Sequence, residues 1–153
     1  MLGRLTAWLK EDDGDVARGG RDGLQLAVAA LLIEAARVDD SFDKRERTVI
    51  GRLLEQRFGL TAADARQLEA AAEQRGERSA QIFGFVRTIN AAIPRERRVE
   101  IIEMLWEVAY ADGTLDPLED TLLRRIGGLI DVSDHERGAA RLRVARRLGL
   151  ATD

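Results

Sequence analysis

The sequence predicts an all-α fold: a single helical bundle of about seven helices, with helices one to three related to helices five to seven. Apolar residues recur at helical spacing through most of the chain, and no segment alternates apolar and polar residues as a half-buried strand does. An acidic motif also occurs once in each half of the chain. With 153 residues, 45% of them hydrophobic, the chain is long enough for one domain with its own core.

The chain divides into three parts. Residues 1–10 are predicted to form a short amphipathic helix, with apolar residues on one face: Leu2, Leu5, Trp8 and Leu9. Residues 11–23 contain glycines and acids and few apolar side chains, which is typical of a flexible linker. Residues 24–150 carry the helical periodicity and form the predicted domain.

Capping residues and prolines set the helix bounds. Thr61 and Ser133 begin the third and seventh helices, because each is followed three residues later by an acid, the spacing of a capping box. Pro94 fits the first turn of the fifth helix and Pro117 begins the sixth, where a missing N–H costs nothing. The predicted helices cover about residues 24–38, 44–57, 61–75, 79–92, 94–109, 117–130 and 133–148. Residues at core spacing and predicted to be buried include Phe83, Phe85 and Trp106.

The two copies of the acidic motif have the same internal spacing. The first copy runs from Glu34 to Glu46 and the second from Glu107 to Glu119, and equivalent acids are always 73 residues apart. A repeat with constant spacing indicates a duplicated structural unit. The acids of the first acidic corner are Glu34, Asp39, Asp43 and Glu46, and those of the second acidic corner are Glu107, Asp112, Asp116 and Glu119.

Helix capping explains half of these acids. The Asp-x-x-Glu steps that begin at Asp43 and Asp116 have the spacing of an N-cap whose partner is a glutamate at the third helical position. Capping does not explain the other four acids. Asp39 and Asp112 follow a helix whose C-terminal dipole disfavours a carboxylate, and Glu34 and Glu107 lie about a turn and a half further back on that helix. An arginine, a backbone turn or a metal ion is therefore expected to compensate them.

The second acidic corner also matches the second half of a calcium-binding EF-hand loop, from Asp112 and Gly113 to Glu119. The first half of that loop fails, because two of its ligand places fall on Val108 and Tyr110. Tight EF-hand calcium binding is therefore not expected. A looser site with oxygen ligands stays open.

The run EVAYADGTLDPLE, its diverged copy EAARVDDSFDKRE and the helical spacer between them resemble the TerB family of tellurite-resistance proteins. The resemblance covers about residues 24–150. It implies an all-helical, duplicated domain, similar to one in DnaJ-like co-chaperones, whose acids bind a divalent metal ion. The implied ligands are the eight acids of the two corners, and calcium, magnesium, manganese and zinc all stay open.

Composition argues against several other classes of protein. The chain has no cysteine, which excludes disulfides and thiolate zinc sites. A net charge of −3 argues against binding to a nucleic acid backbone, and no apolar run is long enough for a membrane span. No phosphate-binding glycine motif is present. His135, the single histidine, is predicted to lie exposed in the first turn of the last helix.

The sequence therefore favours a non-enzymatic, cytoplasmic, stress-associated module whose acidic corners bind a divalent metal weakly or present an acidic surface to a protein partner. The alternative is a purely structural interaction domain in which the acids are helix caps. A metal-dependent hydrolase is a third hypothesis that no further motif supports. Homo-oligomers and peripheral membrane association stay open, and arginines of the last helix form either a solvated face or a surface for an acidic partner.

Overall fold

The computed structural model describes residues 14–38, 42–75, 80–111 and 117–150. Within these ranges the chain forms seven α-helices and a short 3-10 helix, with no strand, as an all-α fold requires. The α-helices are α1 (Gly14–Arg37), α2 (Lys44–Phe58), α3 (Ala62–Arg75), α4 (Ala80–Ala92), α5 (Val99–Ala109), α6 (Pro117–Leu129) and α7 (Asp134–Arg147), and the 3-10 helix is Arg95–Arg97.

Helix α1 is the centre of the bundle. From Ala27 to Ile33 every one of its residues is buried, at 1% exposure or less. A helix that is apolar on all sides needs neighbours on all sides. Five other helices supply them, because α1 contacts α2, α3, α4, α5 and α6. The core is one continuous cluster that draws residues from all seven α-helices.

The two predicted helix triplets are each closely packed. Helices α1, α2 and α3 contact one another, and so do α5, α6 and α7. Helix α4 lies between the triplets in sequence and packs mainly on α1. This arrangement is the one that the repeat predicts, and the duplication itself stays a prediction.

Equivalent turns end the second helix of each triplet. Gly59 follows α2 with φ of 63° and Asp131 follows α6 with φ of 62°, so both residues have left-handed backbone. The next residue then donates its N–H back across the turn: Leu60 to the carbonyl of Glu55 at 3.1 Å, and Val132 to that of Gly127 at 2.8 Å. The two helices therefore end with the same kind of turn.

The predicted caps of α3 and α7 are confirmed by hydrogen bonds. Thr61 Oγ1 accepts the N–H of Asp64 at 3.1 Å. Ser133 Oγ accepts the N–H of Glu136 at 3.1 Å, while Glu136 Oε1 accepts the N–H of Ser133 at 2.9 Å. The second pair is a complete capping box. Short polar side chains therefore fix the start of both helices.

The structure differs from the predicted bounds at two places. Residues 14–23, expected within the linker of residues 11–23, form the first part of α1. Once α1 is nucleated on the core, each upstream residue adds a hydrogen bond at little further cost. Pro94 precedes the 3-10 helix rather than opening α5, which begins at Val99. The predicted helix over residues 1–10 lies outside the described residues.

The aromatic residues at core spacing divide between core and surface. Trp106 is 1% exposed, and its Nε1–H donates to the carbonyl of Arg137 on α7 at 3.1 Å. Phe85 is half-buried against the core. Phe83 is 50% exposed, so the prediction that it is buried is wrong: it lies on the outer face of α4, where the guanidinium of Arg125 covers its ring. None of the helices within the described ranges is long and apolar enough to cross a bilayer.

Candidate functional site

The first acidic corner contains a helix cap. Asp43 is the N-cap of α2: its Oδ1 accepts the N–H of Glu46 at 3.0 Å, and Glu46 Oε1 accepts the N–H of Asp43 at 3.1 Å. Glu46 is buried at 7% exposure. The capping interpretation of these two acids is therefore confirmed. Asp39 lies outside the described residues.

Of the second acidic corner, the structure describes Glu107 and Glu119, the acids at its two ends. Glu119 lies in the first turn of α6 and is buried at 3% exposure, the place and burial that Glu46 has in α2. Asp112 and Asp116 lie outside the described residues. A second capping box between Asp116 and Glu119 therefore stays a prediction.

Arginines accompany the first acid of each corner. Glu107, on α5, accepts a hydrogen bond from Nη2 of Arg147 at 2.9 Å. Glu34, on α1, is half-buried, and burial raises its pKa while the nearby charge of Arg37 lowers it. Of the three compensating groups expected for unfavourably placed acids, arginine is the one that the structure places beside Glu107 and Glu34.

The chain segments next to the two corners lie side by side. Lys44 and Arg45, directly after Asp43, line a surface depression of about 620 Å³ together with Ala111, which directly precedes Asp112. A smaller depression of about 270 Å³ adjoins it and is lined by Glu107 and Tyr110, among others. The described residues that flank the two corners, Lys44 after the first and Ala111 before the second, therefore lie close together. We call this region, lined by residues 44–52 and 107–111, the corner end.

The described acids do not form a metal centre by themselves. Among residues 14–38, 42–75, 80–111 and 117–150, no three acidic or histidine side chains are grouped so that they share one ion. Asp43 and Glu46 accept backbone N–H groups, and Glu107 accepts from Arg147. A cation at the corner end would depend on Asp39, Asp112 and Asp116.

The arginines of α7 bind mainly to the chain itself. Arg143 pairs with Glu103 of α5 at 3.0 Å, and Arg147 pairs with both Glu103 and Glu107. Arg141 donates from Nε to the hydroxyl of Tyr110 at 2.8 Å. The arginine run therefore joins α7 to α5. His135, in the first turn of α7, is exposed as predicted.

A polar groove between α2 and α3 was not foreseen from the sequence. It has a volume of about 590 Å³, and Glu69 and Glu73, one turn apart on α3, lie along it. Arg47 of α2 donates to both carboxylate oxygens of Glu73, at 3.1 and 2.9 Å. The i,i+4 spacing of the two glutamates is visible in the sequence, but the helix that faces them is set by the tertiary fold.

The pKa values of the two glutamates are shifted in opposite directions. The hydrogen bonds from Arg47 hold the pKa of Glu73 below its usual value, and Arg37 adds to the effect. Burial raises the pKa of Glu69, against the opposing charge of Arg47. Glu69 is 9% exposed, and its buried Oε2 has no hydrogen-bond partner among the described residues.

The protein-family model described as tellurite resistance protein TerB matches residues 25–142 of this chain. The match begins near the N-terminal end of the buried part of α1 and ends within α7, so it spans both acidic corners and the groove. No curated protein and no solved structure matches the chain.

Proposed function

The chain belongs to the tellurite-resistance TerB family, and on that basis we propose that it is a non-enzymatic, stress-associated binding module of the cytoplasm. The corner end is its proposed binding surface. One observation carries this proposal: Lys44, beside the first corner, and Ala111, beside the second, line the same depression. A ligand at this end would meet carboxylates from both corners at once.

A protein partner is the ligand that the described residues fit best. The corner end combines the cations Lys44, Arg45 and Arg52 with apolar surface from Val49 and Tyr110, next to the acids of the two corners. Surfaces that mix apolar area, arginine and tyrosine with charged surroundings are typical of protein interfaces. The partner is either another protein or a second copy of this chain.

A divalent cation is the other ligand proposed for the corner end. Carboxylate oxygens are the ligands that calcium and magnesium prefer. The described acids do not fit an ion by themselves, since Asp43 and Glu107 already accept hydrogen bonds from Glu46 and Arg147. Any such site would require Asp39, Asp112 and Asp116, and we propose that its affinity is weak.

Calorimetric titration with calcium, magnesium, manganese and zinc tests whether the protein binds a divalent cation. Saturable binding that disappears in an Asp39→Ala/Asp112→Ala variant, and persists in an Asp64→Ala/Glu96→Ala variant of equal charge, is the expected result. Asp64 and Glu96 are exposed and lie in α3 and in the 3-10 helix, outside both corners. Absence of both heat and a shift in thermal melting with the wild-type protein, up to about 1 mM of each metal, excludes cation binding with a free energy more favourable than about −4 kcal/mol.

Partner binding is tested in the same pair of variants. Affinity purification from stressed cells should recover a partner with the wild-type protein and the Asp64→Ala/Glu96→Ala control, but not with the Asp39→Ala/Asp112→Ala variant. Tellurite tolerance of the producing cells should follow the same order. Equal recovery and equal tolerance for all three proteins would contradict a role for the corner end.

A purely structural interaction domain is the second candidate, and the capping box at Asp43 and Glu46 favours it. In that case the acids stabilise helix starts and contact no ligand. Alanine at Asp43 should lower stability under either function. Alanine at Asp39 and Asp112 should change ligand binding under the first function and neither binding nor stability greatly under the second.

A further inference from the structure

The groove between α2 and α3 contains a carboxylate, Glu69, with one buried oxygen that accepts no hydrogen bond from the described residues. Glu69 Oε2 is buried, and no described residue donates a hydrogen bond to it. Leaving a buried polar atom without a partner is unfavourable, and the cost is larger for a charged group. A ligand that carries a hydrogen-bond donor would satisfy this oxygen.

The groove gives such a ligand access to Glu69. Small residues on both helices leave the groove open: Gly51 on α2, and Ala62, Ala65 and Ala70 on α3. A Cβ atom added at Gly51 would lie 3.8 Å from Oε2 of Glu69, so this carboxylate faces the glycine across the groove. The volume of about 590 Å³ is within the range of small-molecule sites.

Unpaired cations line the same groove. Lys44, Arg52 and Arg66 are exposed there and form no ion pair with any described residue. Arg47, the fourth cation, is already held by Glu73. Lysine and arginine side chains that have no carboxylate partner are suited to an oxyanion, and arginine binds phosphate with directed hydrogen bonds.

We propose that this groove binds a small phosphate monoester that also carries a hydroxyl or amino group. Lys44, Arg52 and Arg66 would bind the phosphate, and Glu69 would accept the hydrogen bond from the hydroxyl or amino group. The groove shares Lys44 and Arg52 with the corner end, whereas Glu69 and Arg66 line the groove alone, so variants of Glu69 and Arg66 test this site separately from the function proposed for the corners.

Calorimetric titration with three probes at about pH 8, where phosphate monoesters are dianions, tests the proposal. Ribose 5-phosphate supplies both the phosphate and hydroxyl donors, methyl phosphate supplies the phosphate alone, and ribose supplies hydroxyls alone. We expect ribose 5-phosphate to bind about tenfold more tightly than methyl phosphate, an energy of the size of one hydrogen bond, and ribose to show no binding.

Variants separate the two parts of the site. Glu69→Met removes the acceptor at similar volume and should abolish the preference for ribose 5-phosphate, while Glu69→Gln, which keeps a carbonyl oxygen, should restore part of it. Arg66→Gln should lower the affinity for ribose 5-phosphate and for methyl phosphate by a similar factor. Arg146→Gln is the matched control, because Arg146 is exposed on α7, outside the groove. Thermal melts of each variant verify the fold.

Three results would overturn the proposal. The first is no saturable binding of either phosphate up to about 10 mM, where even a site of 10 mM affinity would be half filled. The second is a preference for ribose 5-phosphate that survives Glu69→Met in a folded protein. The third is an equal loss of affinity in Arg66→Gln and Arg146→Gln, which would show general attraction to surface charge.

Discussion

Glu69 and Glu73 show how strongly a neighbour decides the chemistry of a side chain. The two residues are one turn apart on the same helix and both face α2. Arg47 reaches Glu73 with two hydrogen bonds and lowers the pKa of that carboxyl. Glu69 receives only the more distant charge of Arg47, and burial raises its pKa. Glu73 therefore joins α3 to α2, whereas Glu69 is the acceptor in the ligand site that we propose.

The contact between Arg47 and Glu73 should make the unfolding free energy depend on pH. A carboxyl whose pKa is lower in the folded state stabilises the fold above its unfolded value of 4.5, and this stabilisation is lost as pH falls through the lower folded value. Arg47→Gln should therefore cost about 0.5–1 kcal/mol at neutral pH and progressively less below pH 4.5. Urea unfolding across this pH range measures the difference in unfolding free energy between the wild type and Arg47→Gln. Arg45→Gln, at an exposed residue, is the control. A constant difference between wild type and Arg47→Gln at every pH would contradict the assignment.

The two left-handed residues predict opposite effects of exchanging glycine and aspartate. Gly59 has φ of 63°, which costs little because glycine has no Cβ atom. Asp131 has φ of 62°, where its Cβ atom makes the left-handed backbone less favourable. Asp131→Gly should therefore stabilise the protein by about 0.5–1 kcal/mol, and Gly59→Asp should destabilise it by a similar amount. The ion pair of Asp131 with Arg98 is exposed and weak, at 3.5 Å. Chemical denaturation of both variants tests the prediction, and a loss of stability in both would contradict it.

At the scale of whole helices, the capping boxes of α2 and α7 should contribute measurably to stability. Both boxes satisfy two backbone N–H groups that the helix cannot. Asp43→Ala and Ser133→Ala should each cost about 0.5–2 kcal/mol of unfolding free energy. Asp43→Asn is the control, since asparagine caps a helix about as well as aspartate. A cost in Asp43→Asn equal to that in Asp43→Ala would show that charge at the corner, rather than capping, stabilises the chain.

The adjacent glycines of α6 have different surroundings and should respond differently to alanine. A Cβ atom at Gly128 would meet no atom within 4 Å, whereas one at Gly127 would lie 3.4 Å from the carbonyl oxygen of Val132. Gly128→Ala should therefore raise the unfolding free energy by about 0.5–1 kcal/mol, because alanine is the better helix former. Gly127→Ala should raise the unfolding free energy by a smaller amount. Thermal and urea unfolding compare the two, and an equal gain would show that Gly127 is not needed for close packing.

Helix existence and helix starts were predictable from the sequence because local chemistry fixes them. The predicted box at Ser133 and the cap at Asp43 are present. The errors arise where tertiary structure decides. The helical conformation of residues 14–23 depends on growth from a buried core, and the exposure of Phe83 depends on which face of α4 meets α1.

The candidate sites were predictable in part, for the same reason. The fixed spacing of the acids identified two equivalent corners, but the arginine beside Glu107 comes from α7, forty residues later. That Lys44 and Ala111, which flank the two corners, line one depression depends on the packing of α2 next to Ala111. The groove depends on Gly51 facing Glu69 across two helices, and no local pattern indicates that contact.

At the scale of the whole molecule, α1 makes the two triplets one cooperative unit. Helix α1 belongs to the first triplet, yet it also contacts α5 and α6 of the second. The buried side of α5 includes Ile101, Ile102 and Leu105, each fully buried, and the core that contains them is continuous. The two predicted repeat units therefore do not form two independent domains.

A fragment of residues 80–150 should therefore not fold alone, although it contains a complete triplet. Without α1 it would expose apolar surface of α5 and α6, and at 71 residues it has little other core to offset the loss. Circular dichroism should show low helicity and no cooperative melt for this fragment. Mixing it with a fragment of residues 1–79 should restore both, because the missing contacts then form between chains. A cooperative melt of the 80–150 fragment alone, near that of the intact protein, would instead show that each half of the repeat carries its own core.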